Sequence, residues 1–396
     1  MNQIQELARK YQDTVVALRR EFHRHPELSF QEVETTKRIA AELDKLGIPY
    51  EINPEKNTGL VACLKGGKPG KAVALRADID GLPVKEMTGL PFASENDGKM
   101  HACGHDNHIA MLLGAAYILR DVQDQICGTV YFVFQPAEEL CAGAEYMLRF
   151  GDWYDKIGSM YAAHVWFDMP AGKVNIQAGP RFAAGTHFYI DVHGTGCHGS
   201  LPHQGVDASV VAAAMLLNIQ TIVSRRVSPL DSVALTIGTV QSGTAFNIVS
   251  GEAHMEGTCR YFLPETGKLL ERMLSDMVHD TAHQYGATAD FHMDLIAPPT
   301  INDAACAGLG ARAAAKVVGE DTWSPWNTLW PAKISPSIPK RSPAATASSA
   351  SAIPKRMPCT LSTATAIPSM KTSWEMVPLS LPSMPSTGWK PINNRI

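Results

Sequence analysis

Long apolar runs are missing from this chain of 396 residues; none approaches the ~20 residues that a membrane span requires. An excess of positive charge is also missing. Lys and Arg number 35 against 39 Asp and Glu, a net charge of −4, which gives no support for binding nucleic acid or an anionic membrane. Paired cysteine spacing is absent too: Cys63, Cys103, Cys127, Cys141, Cys197, Cys259, Cys306 and Cys359 stand apart. In a chain of this length that pattern reads as reduced thiols rather than a disulfide framework. The first 18 residues are polar and read as an amphipathic helix rather than a signal peptide, so the expected location is the cytoplasm. Two further scarcities are local. No histidine follows His292, and from Pro331 to Ile396 there is one acidic residue, Glu375, and one glycine, Gly388. Taken at face value, that Ser/Pro/Ala/Thr-rich tail cannot bury enough surface to offset its chain entropy.

What remains is globular: 45% hydrophobic and 19% charged, long enough for two domains. Ser29-Phe30-Gln31-Glu32 has the form of a capping box. Val33, Ile39, Ala40, Leu43 and Leu46 follow at helical spacing until Gly47. Apolar runs at 60–64 and 72–75, a helix over 109–119, and strands at 129–134 and 160–165 then alternate. Alternation of that kind argues for an α/β sheet, with ligands at the strand ends. From about Phe182 the order becomes strand 187–192, helix 208–223, strand 233–240, strand 253–262, helix 266–284, strand 289–293. That is βαββαβ, and it reads as a self-contained second domain. The segments 172–181 and 297–303 would be its hinges.

The chemistry concentrates in Met100-His101-Ala102-Cys103-Gly104-His105-Asp106-Asn107-His108. Thiolate and neutral imidazole are good ligands for zinc-like divalent ions, and the glycine between Cys103 and His105 lets the backbone turn both toward one ion. Glu138 and Glu139 end a strand, where successive side chains point opposite ways. Such a pair serves a metallohydrolase when one carboxylate binds the ion and the other moves the proton of the attacking water; it also suits the start of a helix. His164 stands in an apolar strand, where a hydrogen-bonded core histidine is the common case. Asp78 and Asp80 share a face at a strand end, suited either to orienting a ligand imidazole or to an ordinary turn. In the second domain, 194–203 offers His198 and His203 in a small-residue loop, while Asn247 and Arg260 stand out only weakly.

Taken together, these residues resemble the M20 metallopeptidases, in particular the amidohydrolase branch that acts on N-acyl amino acids. The motifs are Arg20…His23…His25-Pro26-Glu27-Leu28, Arg76-Ala77-Asp78-Ile79-Asp80, 100–108, Phe134-Gln135-Pro136-Ala137-Glu138-Glu139, His164-Val165-Trp166, and Cys197-His198-Gly199 with Pro202-His203. The resemblance runs from about residue 12 to about residue 329. It implies a catalytic α/β domain (1–181 and 295–329) interrupted by a smaller ferredoxin-like lid and dimerisation domain (182–294), and a homodimer formed through that lid. It implies two divalent ions (Zn, Mn, Co or Ni) held by Cys103, His105, Glu139 and His164. Glu138 would be the general base and His198 would stabilise the oxyanion. Asn247 and Arg260 would contact the substrate or its carboxylate, and Asp78 and Asp80 would support the ligands. The implied reaction is hydrolysis of an N-acyl amino acid.

The family also needs a histidine near the C-terminus, preceded by Ser-Glu-Asp-Phe, and the chain has neither. Codons that encode 330–340, read one base earlier, permit Met-Ala-Ser-Glu-Asp-Phe-Ala-Glu-Tyr-Ser-Lys. The same offset through 357–367 permits a histidine on a codon straddling Ser362 and Thr363. The tail 330–396 is therefore read as frame-shifted, and an inactive relic that keeps partial metal binding and dimerisation is the alternative to an active hydrolase.

Overall fold

The computed structural model describes residues 3–166 and 171–319, together with the backbone of a four-residue strand at Ser349–Ala352. Apart from that strand, the tail read above as frame-shifted lies outside the described residues, as does 320–329.

The chain opens with helices α1 (Gln3–Lys10), α2 (Gln12–Arg24) and α3 (Val33–Leu46), and continues with strands β1 (Tyr50–Ile52), β2 (Leu60–Lys65) and β3 (Lys68–Asp78). Helix α4 (His105–Asp121), strand β4 (Cys127–Gln135), short helices α5 (Gly143–Leu148) and α6 (Trp153–Lys156), and strand β5 (Ile157–Ala162) follow. The sheet is ordered β1-β2-β4-β3-β5, with β14 (Ser349–Ala352) on the outer edge of β5. Both neighbours of β3 run parallel to it. Period-two geometry divides β4 between two cores. Val130, Phe132 and Phe134 pack with Leu43 of α3 and Leu113 of α4, while Val133 packs with Met147 and Trp153 on the other face. Each such fully buried side chain contributes roughly 2–3 kcal/mol.

Two of the sequence expectations change here. Ser29 and Glu32 do not form a capping box: Glu32 is the N-cap of α3 without a side-chain cap bond. Instead Ser29 Oγ donates to Asp80 Oδ2 at 2.7 Å, and Glu32 Oε1 accepts from Ala137 N at 2.8 Å. Both side chains are drawn away from their own helix by partners near the ends of β3 and β4. His164, expected within a strand, lies two residues beyond the end of β5, where the backbone has left the sheet.

Strand β6 (Gly179–Phe182) pairs with β13 (Thr300–Asn302), so the two connections to the second unit run side by side. Between them lie β7 (Gly185–His193), β8 (Cys197–His198), α7 (Ala208–Thr221), β9 (Val233–Ser242), β10 (Ile248–Val249), β11 (Glu252–Tyr261), α8 (Pro264–Gln284) and β12 (Thr288–Ala297). The antiparallel sheet β12-β7-β11-β9 is the order the βαββαβ rhythm requires. Phe188, Ile190 and Val192 alternate inward against Met215 and Ile219 of α7 and Leu270 and Leu274 of α8. Helix α7 and the turn after it, Ala208–Arg226, are long and apolar enough to cross a membrane by length and composition; here Val211, Ala212, Met215 and Ile219 cover the sheet. Helix α9 (Ala304–Val318) returns to the first unit and packs on Ile176.

Candidate active site

Parallel strands end on one edge of their sheet, and that edge carries the site. β3 ends at Asp78, which pairs with Gln135 at the end of β4, while Arg76 pairs with Ala162 at the end of β5. His105, the first residue of α4, meets this edge. Gly104 precedes it with φ of +88°, and a Cβ there would lie 2.5 Å from Val165 Cγ2. Only glycine permits that turn so close to its neighbour.

His105 is fully buried. Its Nδ1 donates to the Asp80 carbonyl at 2.9 Å and lies 3.1 Å from Asp80 Oδ1. A carbonyl only accepts, so Nδ1 carries a proton and Nε2 is the nitrogen turned toward the site. Around that atom stand Asp78 Oδ2 at 3.7 Å, Glu139 Oε1 at 3.7 Å and Glu138 Oε2 at 3.9 Å. Neither His105 Nε2 nor Glu139 Oε1 has a hydrogen-bond partner, although both are buried. His164 gives its Nδ1 proton to the Val165 carbonyl and turns Nε2 toward Cys103 Sγ, 3.5 Å away. Ligand atoms of Cys103, His105 and His164 lie within 4.8 Å of one another, as do those of His105, Glu138 and Glu139.

The two glutamates do not point opposite ways as a continuing strand would make them. β4 stops at Gln135, and Ala137 takes a left-handed backbone with φ of 49°. Both carboxylates then reach the same imidazole nitrogen. No helix begins at the pair, because α5 starts only at Gly143.

The charges of the site call for a cation. Burial opposes ionisation of Asp78, yet His105, Arg76 and His108 hold its carboxyl well below the ordinary range. Burial also opposes a charged His105, but Asp78 and Asp80 outweigh it and raise the imidazole well above its usual value. Burial first and Asp78 second push Glu138 up to about 8. A buried pocket that keeps protons on an imidazole and a carboxylate stabilises added positive charge. Thiol, imidazole and carboxylate donors are those that borderline divalent ions accept. The unpartnered donors and the electrostatics both fit such ions.

His108 was within the sequence motif but carried no role. Val165 N donates to its Nε2 at 2.9 Å, so its proton lies on Nδ1 and goes to Asp78 Oδ1. The signal was its spacing of three from His105 on one helix face. Asp78, read above as a supporting residue, also falls within 4.8 Å of His105 and His108 as a candidate ligand. A second buried network backs the site. Asp106 forms an ion pair with Arg19 Nε and meets His23 Nδ1, both at 2.8 Å, tying α2 to the first turn of α4. Arg20, flagged in the motif, instead stacks over Phe92 at 5.2 Å.

The candidate residues of the second unit sit elsewhere. His198 and Asn247 are exposed and come together at the β8–β10 ribbon, where Gly199 N donates to Asn247 O at 2.8 Å. Arg260 lies on β11, its Nη1 donating to Thr258 Oγ1 and to the Cys259 carbonyl. Among the described residues, His198 belongs to none of the groups whose ligand atoms converge.

Residues 74–328 match the family described as Peptidase family M20/M25/M40. An N-acetylcysteine deacetylase from Bacillus subtilis is 39% identical over 303 residues, 76% of this chain and 80% of that one. An N-acyl-L-amino acid amidohydrolase from Geobacillus stearothermophilus is 40% identical over 301 residues, 76% of this chain and 81% of its own length. Among solved structures, a dinuclear metal binding peptidase of the M20 family from Bacillus subtilis superposes with a TM-score of 0.70 at 34% identity. It covers 83% of this chain and 84% of its own. The chain belongs to the M20/M25/M40 peptidase family.

Proposed function

We propose that this protein is a metal-dependent amidohydrolase that cleaves N-acyl amino acids to a carboxylic acid and a free amino acid. One observation carries the reading: His105 Nε2 and Glu139 Oε1 are buried donors without partners, converging beside Glu138. The two amidohydrolase relatives support the substrate class. Cys103, His105, Glu139 and His164 hold two divalent ions; the donor set accepts Zn, Mn, Co or Ni. When bound, the ions lower the pKa of water toward ~7 and polarise the scissile carbonyl. Glu138 takes the proton of the attacking water and delivers it to the leaving nitrogen. Asp80 orients His105, and Asp78 orients His108.

In the lid, Ser200 N donates to His198 Nδ1 at 3.2 Å, which places the His198 proton on Nε2. That is the donor an oxyanion needs. Asn247 and Arg260 hold the substrate and its carboxylate. We read 182–294 as a lid on a catalytic domain formed by 1–181 and 295–329, and the molecule as a homodimer joined through that lid. Exposed Leu217 and Val210 on α7 and exposed Val240 on edge strand β9 supply an apolar surface for it. Cys63, Cys127, Cys141, Cys197, Cys259 and Cys306 are free thiols, which suits a reducing compartment such as the cytoplasm.

The family match stops at residue 328, and no histidine follows His292. These two observations favour a frame shift near 329–330, and with it a second reading, in which the chain as written is an inactive relic. The test is release of free amino acid from N-acetyl amino acids by the chain as written and by its frame-restored form. Each is assayed with Mn²⁺ or Zn²⁺ and with chelator. Turnover by the restored form alone supports both readings of the tail; turnover by neither removes the hydrolase.

A further inference from the structure

The turn that carries Glu138 and Glu139 is closed partly on itself. Gly143 N donates to Ala137 O at 3.1 Å, and Cys141 N to Glu138 O at 2.8 Å. A Cβ on Gly143 would lie 1.5 Å from Pro136 O. Two of its backbone groups point elsewhere, the first being Glu139 N, which donates to Asp80 Oδ2 at 3.0 Å. Ala137 N donates to Glu32 Oε1 at 2.8 Å, a partner 105 positions earlier in the chain. Ala137 is itself fully buried and holds φ of 49°, a backbone that a residue with a Cβ rarely adopts unless its surroundings impose it.

Glu32 is an unusual residue to bury. It is fully enclosed and makes no side-chain bond to the helix it caps. Burial pushes its carboxyl up to about 8, so near neutral pH it is largely a neutral acid. A buried acid costs stability unless its hydrogen bonds are worth having, and one of its backbone partners is the residue just before Glu138.

We infer that Glu32 is a positioning residue for hydrolysis: by accepting the Ala137 N–H it holds the left-handed turn that aims both glutamates at His105. The inference rests on the reading of Glu138 as base and Glu139 as ligand. Without the acceptor, a buried N–H is left unsatisfied and Ala137 relaxes toward extended backbone. Extended backbone alternates Glu138 and Glu139 to opposite faces, so no single imidazole is reached by both.

The experiment is hydrogen exchange of residues 135–141 together with Mn²⁺ titration calorimetry, on the full chain and its variants. In Glu32→Ala and Glu32→Asp, protection of 135–141 falls about tenfold or more while α3 keeps its own. Mn²⁺ affinity in these variants falls about 10- to 100-fold. Glu32→Gln retains the acceptor oxygen and keeps both. Adding Ala137→Gly to Glu32→Ala recovers affinity, because glycine holds the left-handed turn unaided. A folded Glu32→Ala with unchanged protection and unchanged affinity overturns the inference. Should that variant fail to fold, Glu32→Asp and the Ala137→Gly pair make the same comparison. If the parent protein takes up no Mn²⁺, the metal reading fails, and the exchange data alone decide whether Glu32 holds the turn.

Discussion

His105 and Asp80 are bound twice over: the imidazole Nδ1 donates to the Asp80 carbonyl at 2.9 Å and sits 3.1 Å from its carboxylate. The same carboxylate takes Ser29 Oγ at 2.7 Å and Glu139 N at 3.0 Å. One buried side chain thereby fixes a candidate ligand imidazole and the backbone of a candidate ligand carboxylate. Asp80→Ala keeps the carbonyl contact but strands the other two donors. It is expected to cost on the order of 2–4 kcal/mol of stability and to weaken Mn²⁺ binding about 10- to 100-fold. Urea unfolding with calorimetric titration checks both. An unchanged dissociation constant would show that the carbonyl alone orients His105.

Glu138→Gln separates proton transfer from ion binding. The amide keeps the shape but cannot take a proton. Turnover is expected to fall by roughly 10²–10⁴, with Mn²⁺ stoichiometry unchanged by titration. Residual turnover near that of the parent would move the base to another residue.

Gly143→Ala tests how tightly the glutamate turn is closed. The added methyl would overlap Pro136 O at 1.5 Å, and a backbone atom cannot yield as a flexible side chain does. A loss of about 3 kcal/mol or more is expected, at the upper end of overpacking effects. Thermal unfolding measures it, and a shift of only a degree or two would mean the turn relaxes freely.

Glu32 makes stability depend on pH in a direction unlike that of paired carboxylates. Its folded pKa of about 8 lies above the ordinary 4.5, so the folded state holds its proton more tightly. The contribution is complete below about pH 4.5 and is lost as pH rises through about 8. It amounts to a few kcal/mol at most. Glu32→Gln removes that loss. Its stability relative to the parent should therefore rise between about pH 5 and pH 8, measured by urea midpoints across the range. A difference that stays flat with pH would show Glu32 ionising normally in the folded protein.

Residues that act through local geometry were legible in the sequence. Cys103, Gly104 and His105 form one contiguous turn, and the alternation of Phe188, Ile190 and Val192 declares the inner face of the second unit's sheet. Residues that act across the chain were not. Ser-x-x-Glu at 29–32 reads as a helix cap because its true partners, Asp80 and Ala137, lie 51 and 105 positions away. The direction of Glu139 was misread because a left-handed alanine leaves no trace in composition. His164 was placed inside a strand because Val165 and Trp166 extend the apolar run past the last ladder bond.

The most direct measurement is the rate of free amino acid release from N-acetyl amino acids by the frame-restored protein. It would be stripped of metal, then reloaded with Mn²⁺ or Zn²⁺. Silence after stripping and turnover after reloading, abolished by Glu138→Gln, is the expected outcome. Release that ignores the chelator, or none in any metal-loaded form, would contradict the assignment of this site as a metal-dependent amidohydrolase.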